Sequence, residues 1–243
     1  MKVPNPPPPP PREAPKLQPE PEPKPEPKPE PEKKPVAELR VSDKAVAFVI
    51  EQETWHVNPI EVGQTIAFGI KVTEKNIASL QARYPGGVPK KAKDDPRAVS
   101  SVRSHLNARL DNLSKEIKGL SISQQEADAL ASLGYNGGLF GNKELMAKLA
   151  AGASPKEIAE HFFDRIKSAE GQGGVPTGKS AQPSQGLLER RIGEVRIFLS
   201  GIYEKEGPAV WNLGKELLQE RKEGRRAPAV ERALALPRNK ELK

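Results

Sequence analysis

The chain has 243 residues, with 39 Lys plus Arg against 32 Asp plus Glu, 26 Pro and no Cys, for a formal charge of +7. Without thiols it has no disulfide framework, no thiolate zinc site and no cysteine nucleophile. No stretch approaches the roughly 18 apolar residues of a membrane-spanning helix, and Pro6 to Pro10 occupy the place where a secretory signal would carry its apolar helix.

Sixteen of the prolines fall in the first 35 residues, interleaved with Glu and Lys. Such a stretch lacks amide donors and apolar groups, so residues 1–40 are expected to form a disordered, polyproline-rich spacer. This segment also offers a place for a tethering partner. It carries 8 basic and 7 acidic side chains, leaving +6 for the rest, a balance that suits contact with a polyanion.

Residues 41–205 carry the periodic apolar signal of a domain. Ser42 and Asp43 can start a helix that runs through Val46, Val49 and Ile50 to Glu53. Residues 54–72 are β-branched and broken by Pro59, Gly63 and Gly69, which predicts a small hairpin or sheet. Pro85 to Pro96 reads as a loop. Helices are expected at about 97–117, 123–135, 142–152 and 155–168. Their start signals are Asp95-Pro96, Ser123 with Glu126, Asn142, and Ser154-Pro155 with Glu157. A Gly-rich loop from Gly171 to Gly186 precedes an amphipathic helix at about 187–203, with Leu188, Ile192, Val195 and Leu199 on one face and the charges on the other. In residues 206–243, Trp211, Leu213, Leu217 and Leu218 predict one more short helix, ahead of a basic tail. Strands followed by a run of helices make an α+β pattern.

Several chemistries drop out at this level. His56, His105 and His161 lack flanking ligands, so no metal site is expected. Gly134, Gly137 and Gly138 follow a helix and not a strand, and Gly178-Lys179-Ser180 lacks the upstream glycine of a phosphate loop, so no cofactor is expected. Aromatic residues make up only 5% of the chain and do not interleave with a basic stripe, so no nucleic-acid partner is expected.

The run Gly186-Leu187-Leu188-Glu189-Arg190-Arg191-Ile192-Gly193-Glu194 leading to Phe198-Leu199-Ser200 closely resembles the C-terminal signature of phage-type lysozymes, glycoside hydrolase family 24. Ile122-Ser123-Gln124-Gln125-Glu126-Ala127-Asp128-Ala129-Leu130, leading into Tyr135-Asn136, resembles the helix and turn of the same family. Leu145, Leu149, Gly152 and Ala159 to Phe163 follow in family order. The resemblance covers residues 42–205, with insertions near 73–97 and 172–185. It implies a lysozyme-like α+β fold: a small N-terminal β-hairpin lobe and a mainly helical C-terminal lobe around a cleft. It also implies a peptidoglycan substrate, cut at the β-1,4 linkage between N-acetylmuramic acid and N-acetylglucosamine. A protein of this type is expected to be made in a bacterial host and to act on the wall after release or delivery, for instance from a virion.

The family's chemistry sits in an N-terminal pattern of a helix ending in Glu-Gly, an Asp, and a Thr-Ile-Gly-Tyr-Gly-His hairpin. Anchoring on Pro59 assigns the acid to Glu53; anchoring on Gly63 assigns it to Glu51. The first is preferred, because Trp55 and Val57 then keep the apolar alternation. Thr65, Ile66 and Gly69 match the hairpin. Glu61 is the carboxylate left near the place of the family's Asp, Ile70 replaces its His, and Thr54 replaces the Gly after the acid. The resemblance thus implies Glu53 or Glu51 as general acid, Glu61 as second carboxylate, Thr65 as holder of a water, and Tyr135 and Asn136 as cleft-lining residues. The departures leave open a lysozyme-like module that binds wall, or serves a structural role in a virion or toxin, without cutting.

Overall fold

The computed structural model describes residues 31–137, 139–164, 167–168, 182–183, 185–204, 207–223 and 228–238. The spacer reading for residues 1–30, most of the Gly-rich loop and the end of the tail lie outside the described residues.

Described elements run in chain order as β1 (Lys33–Pro35), α1 (Asp43–Gln52), β2 (His56–Val57), β3 (Thr65–Ala67), β4 (Ile70–Lys71), α2 (Ile77–Arg83), α3 (Ala98–Glu116), β5 (Ser121–Ser123), α4 (Gln124–Tyr135), α5 (Lys143–Ala150), α6 (Pro155–Glu160), β6 (Lys167–Ser168), β7 (Gln182–Pro183), α7 (Gln185–Ser200), α8 (Pro208–Lys222) and α9 (Ala229–Ala235). Small antiparallel sheets (β1–β5, β2–β3–β4 and β6–β7) accompany the helices. The result is a mixed helix and sheet fold, compatible with α+β.

Local side-chain chemistry sets four of the nine described helix starts. Ser42 Oγ accepts from the Ala45 amide at 3.1 Å and begins α1. Ser123 with Glu126, and Ser154 with Glu157, form reciprocal capping boxes, the second with a proline in its first turn. Asn142 Oδ1 accepts from the Leu145 amide at 3.1 Å and caps α5. The folded unit begins at Pro31, ahead of residue 41. β1 pairs antiparallel with β5, Lys34 opposite Ile122, and Val36 and Leu39 behind it are buried. Residues 31–40, expected to belong to the spacer, therefore belong to the packed unit.

The main core gathers Phe48 and Val49 of α1, Leu106, Leu110 and Leu113 of α3, Leu130 and Leu133 of α4, and Ile192, Val195 and Phe198 of α7. A buried polar group ties three of these parts together. Asp128 of α4 accepts from the Ser42 amide at 3.0 Å, Ser42 Oγ at 2.5 Å, Gln124 Nε2 at 2.9 Å and Tyr203 Oη at 2.5 Å. The Tyr203 hydroxyl is driven well above its ordinary pKa, first by burial and then by the Asp128 charge.

A second, smaller core of Ile66, Val72, Leu80 and Tyr84 lies under β2–β4 and α2. Helix α2 falls in the stretch read as an insertion, and Asn76 before it makes no side-chain cap. Buried Asp95 holds this region to the start of α3, accepting from Tyr84 Oη at 2.7 Å, the Arg97 amide at 2.9 Å and Arg83 at 3.2 Å. Burial alone would raise its pKa, but the Tyr84 and Arg97 hydrogen bonds and the Arg83 charge outweigh it and hold the carboxyl below its ordinary 3.8. The depressed folded-state value means that this stability is present above about pH 4 and lost as pH falls. Asp95→Asn is therefore expected to cost about 1–3 kcal/mol at pH 7 and to flatten the acid limb of stability, read as urea midpoints between pH 7 and pH 3.

Helix α7 departs from its amphipathic reading. Leu188, Ile192 and Val195 are buried as expected, but so are Glu189, Arg190, Arg191, Glu194 and Arg196. Charges are rarely this buried unless paired, and here they pair within α7 and with residues packed around it. Gly193 permits the close approach on one side: a Cβ there would lie 2.8 Å from the Phe48 ring. On another side, α8 and α9 cover the helix, burying Val210, Leu213, Leu217, Val230 and Ala233. Arg196 pairs with Glu204 at 2.6 Å and donates to the Leu236 and Pro237 carbonyls at 3.1 and 3.3 Å. The described part of the C-terminal zone is thus packed on the domain.

Candidate active site

Glu53 sits at the C-cap of α1, where its amide donates to the Val49 carbonyl at 3.1 Å and its backbone turns extended. Its side chain is 17% exposed. The Arg190 guanidinium of α7 donates to Glu53 Oε1. The other oxygen, Oε2, faces the β3–β4 turn at exposed Gly69, where an added Cβ would sit 3.9 Å away. Gly69 has φ +80° and Ala67 φ +49°, so this turn needs left-handed backbone at two positions. Ala67, where the resembled hairpin has glycine, is the one described non-glycine residue with positive φ.

Arg190 organises what surrounds Glu53. Its Nε donates to Glu194 Oε1 at 3.2 Å, and Nη2 reaches the Ser132 carbonyl at 3.4 Å. Its guanidinium carbon lies 6.0 Å from the centroid of the Tyr135 ring. Glu194 also accepts from Ser132 Oγ at 2.7 Å and from Arg191, whose Nη2 donates to Asn136 Oδ1 at 2.8 Å. The ions therefore form a chain from half-buried Glu53 through buried Arg190 and Glu194 to Arg191, with Ser132 and Asn136 as neutral hydrogen-bonding partners.

Tyr135 closes the group from the α4 side. Its hydroxyl donates to the Phe68 carbonyl at 2.6 Å, joining the end of α4 to the β3–β4 turn. Burial, then the Glu53 charge, push its pKa up to about 12, against Arg190 and Arg109. Next to it, Trp55, Phe68, Ile70, Ser101 and His105 line a small pocket with Tyr135. Trp55 and Phe68 meet edge to face at 4.9 Å, and the indole donates to the Pro89 carbonyl at 2.7 Å.

The structure thus brings Glu53 and Tyr135 together and sets Asn136, which is exposed, against Arg191. Glu51 is exposed on α1. Glu61 is exposed in the β2–β3 turn, where its amide donates to the Pro59 carbonyl and its carbonyl accepts from Gln64, each at 3.0 Å. Among the described residues, no hydrogen bond or ion pair joins Glu61 to Glu53. Thr65 is half-buried on β3, and its carbonyl accepts from Asn58 Nδ2 at 2.9 Å. Strand alternation sets it with Ala67 on the face opposite Ile66. Arg190 and Glu194 lie in the signature helix, where periodicity alone places them on its charged face; Gly193, which lets α1 come close, is the local signal that this face is packed.

The one described set able to offer a cation three ligand atoms is Glu144, His161 and Asp164, whose atoms lie within 4.8 Å of one another. His161 Nδ1 is 2.8 Å from Asp164 and 3.7 Å from Glu144, an arrangement that its hydrogen bond with Asp164 accounts for.

No family model matches the chain. Over 141 residues the chain is 30% identical to a protein of Bacillus phage PZA named Endolysin, a match covering 57% of this chain and 50% of that protein. The chain therefore spans about half the length of the curated relative it matches. The likeness supports an endolysin-like relationship at family level.

Proposed function

We propose that this chain is a cell-wall hydrolase of the muramidase type, cutting the β-1,4 bond between N-acetylmuramic acid and N-acetylglucosamine with Glu53 as general acid. The carrying observation is the placement of Glu53: one oxygen held by Arg190, the other directed toward the exposed turn at Gly69. Glycoside hydrolysis needs a carboxyl that protonates the leaving oxygen and a second group that activates water or stabilises the oxocarbenium-like transition state. In this reading Glu53 Oε2 delivers the proton, Glu61 is the second carboxylate and Thr65 positions the water. Arg190 orients Glu53 while sharing its charge with Glu194. In this reading half-buried Tyr135 and exposed Asn136, at the end of α4, border the groove that takes the glycan. A lysozyme-like arrangement of two lobes around this groove belongs to the same proposal.

Peptidoglycan, with its peptide carboxylates and associated anionic polymers, suits a domain of positive net charge. The likeness to a protein named Endolysin supports wall lysis as the activity class. Among the described residues no helix is long and apolar enough to cross a membrane. In our reading the chain reaches the wall after release or delivery, with the proline-rich segment as its tether.

A second reading rests on Glu61, which no described ion pair orients, and on Ile70 in place of the family's His. It is a module that binds wall without cutting it. Incubating the full chain with purified sacculi, followed by borohydride reduction and amino-sugar analysis, separates the two. New muramic acid reducing ends are the expected result. New glucosamine ends would move the cut to the other linkage, and retained binding with no new ends would establish the non-cutting module.

A further inference from the structure

We infer that the His105–Arg109 face of α3 is an anion subsite that recognises a carboxylate carried by the glycan strand; the inference rests on the glycan-binding reading above. The two residues are four apart on one helix and so share a face. That face looks onto the end of α4. The His105 ring centroid lies 6.2 Å from that of Tyr135, and a Cβ at Gly134 would meet Arg109 Cγ at 3.2 Å. Glycine at 134 therefore lets the Arg109 stem lie flat against α4, beside the tyrosine whose hydroxyl reaches the turn next to Glu53.

Arg109 differs from the other buried or half-buried arginines around it. Arg83, Arg190, Arg191 and Arg196 each have a carboxylate within 4.0 Å. Among the described residues Arg109 has neither a salt bridge nor a hydrogen bond, and its Nε is buried without an acceptor. A guanidinium with its stem fixed by packing and its donors unused is preorganised for a carboxylate, which it binds through two parallel hydrogen bonds. Among the described residues the carboxylate bearing on Tyr135 is Glu53, while Arg109 and Arg190 act on it from the cationic side. His105 feels the same field: burial, then the charges of Arg109 and Arg83, lower its pKa, which keeps it neutral at pH 7 and able to give one hydrogen bond. The ligand chemistry is a single carboxylate next to a pyranose ring. The lactyl group of muramic acid and the peptide attached to it are the two sources on a wall glycan.

Calorimetric titration of the full chain carrying Glu53→Gln, so that ligand is not consumed, tests this with three ligands. These are a peptide-free tetrasaccharide alternating N-acetylglucosamine and N-acetylmuramic acid, the same glycan with its peptides, and carboxylate-free chitotetraose. The expected result is that at least one carboxylate-bearing glycan binds about tenfold tighter than chitotetraose, and which one does identifies the source. Adding Arg109→Gln is expected to erase that preference while leaving chitotetraose affinity and the thermal midpoint unchanged, and Arg109→Lys to restore part of it. A preference that survives Arg109→Gln, equal weakening for all ligands, or binding of all three without preference overturns the subsite alone. Binding of none of them overturns the glycan reading together with it.

Discussion

Glu53→Gln is expected to reduce release of muramic acid reducing ends from purified wall by about 10²–10⁴-fold, the range that a positioned general acid contributes. Glutamine keeps the shape of the side chain and an acceptor oxygen for Arg190, but it cannot donate the proton that the leaving oxygen requires. Arg190 still has Glu194 at 3.2 Å and the Ser132 carbonyl at 3.4 Å, so its charge stays compensated. The thermal midpoint should therefore move by only a few degrees, which separates loss of chemistry from loss of fold. Glu51→Gln, altering an exposed helix position, is expected to retain activity within about twofold, inside the small range of surface substitutions. The reverse ranking of the two variants would transfer the acid to Glu51. Equal lysis by all three proteins would remove both from the mechanism.

The largest effect on stability is expected at Glu194. This carboxylate is fully buried and takes hydrogen bonds from Arg190, Arg191 and Ser132. Glu194→Ala removes the carboxylate that pairs with Arg191, itself fully buried. Removing one partner of a buried ion pair typically costs about 3–5 kcal/mol, measurable as a fall in the urea unfolding midpoint at unchanged slope. Hydrolysis should fall as well, because Arg190 loses Glu194, the second carboxylate that fixes it beside Glu53. Replacing both partners with apolar residues, Glu194→Leu with Arg191→Met, should recover much of the stability, since a well-packed apolar pair removes the stranded charge. A single Glu194→Ala variant as stable as wild type would show that the ion cluster is not load-sharing in the folded state.

The legible parts of this fold are those governed by nearest neighbours along the chain. Ser123 with Glu126 and Ser154 with Glu157 announce their helices because donors and acceptors three residues apart complete one another. The buried charge of helix α7 follows a different logic. Periodicity sends Arg190, Arg191 and Glu194 to water, yet Glu53 is 137 positions from Arg190, Ser132 is 62 from Glu194 and Asn136 is 55 from Arg191. Those partners exist only once α1, α4 and α7 have packed, so no local pattern reports them. The same limit applies to Glu53 itself. Its residue type and helix-end position could be read from the chain, whereas its pairing with Arg190 depends on that packing. Strand β1 was hidden for another reason: a proline-rich stretch lacks donors, but its carbonyls and remaining amides can still pair along a sheet edge.

That edge pairing determines how the molecule would bear mechanical force. A force applied along the axis of β1 meets a ladder to β5 that runs crosswise to the strand. The bonds of such a ladder resist together, as rungs in shear, where an end-on pull would open them one by one. β5 ends at Ser123, the cap of α4, and α4 ends at Tyr135. Force on β1 would therefore reach the helix whose last residue, Tyr135, holds the β3–β4 turn through the Phe68 carbonyl.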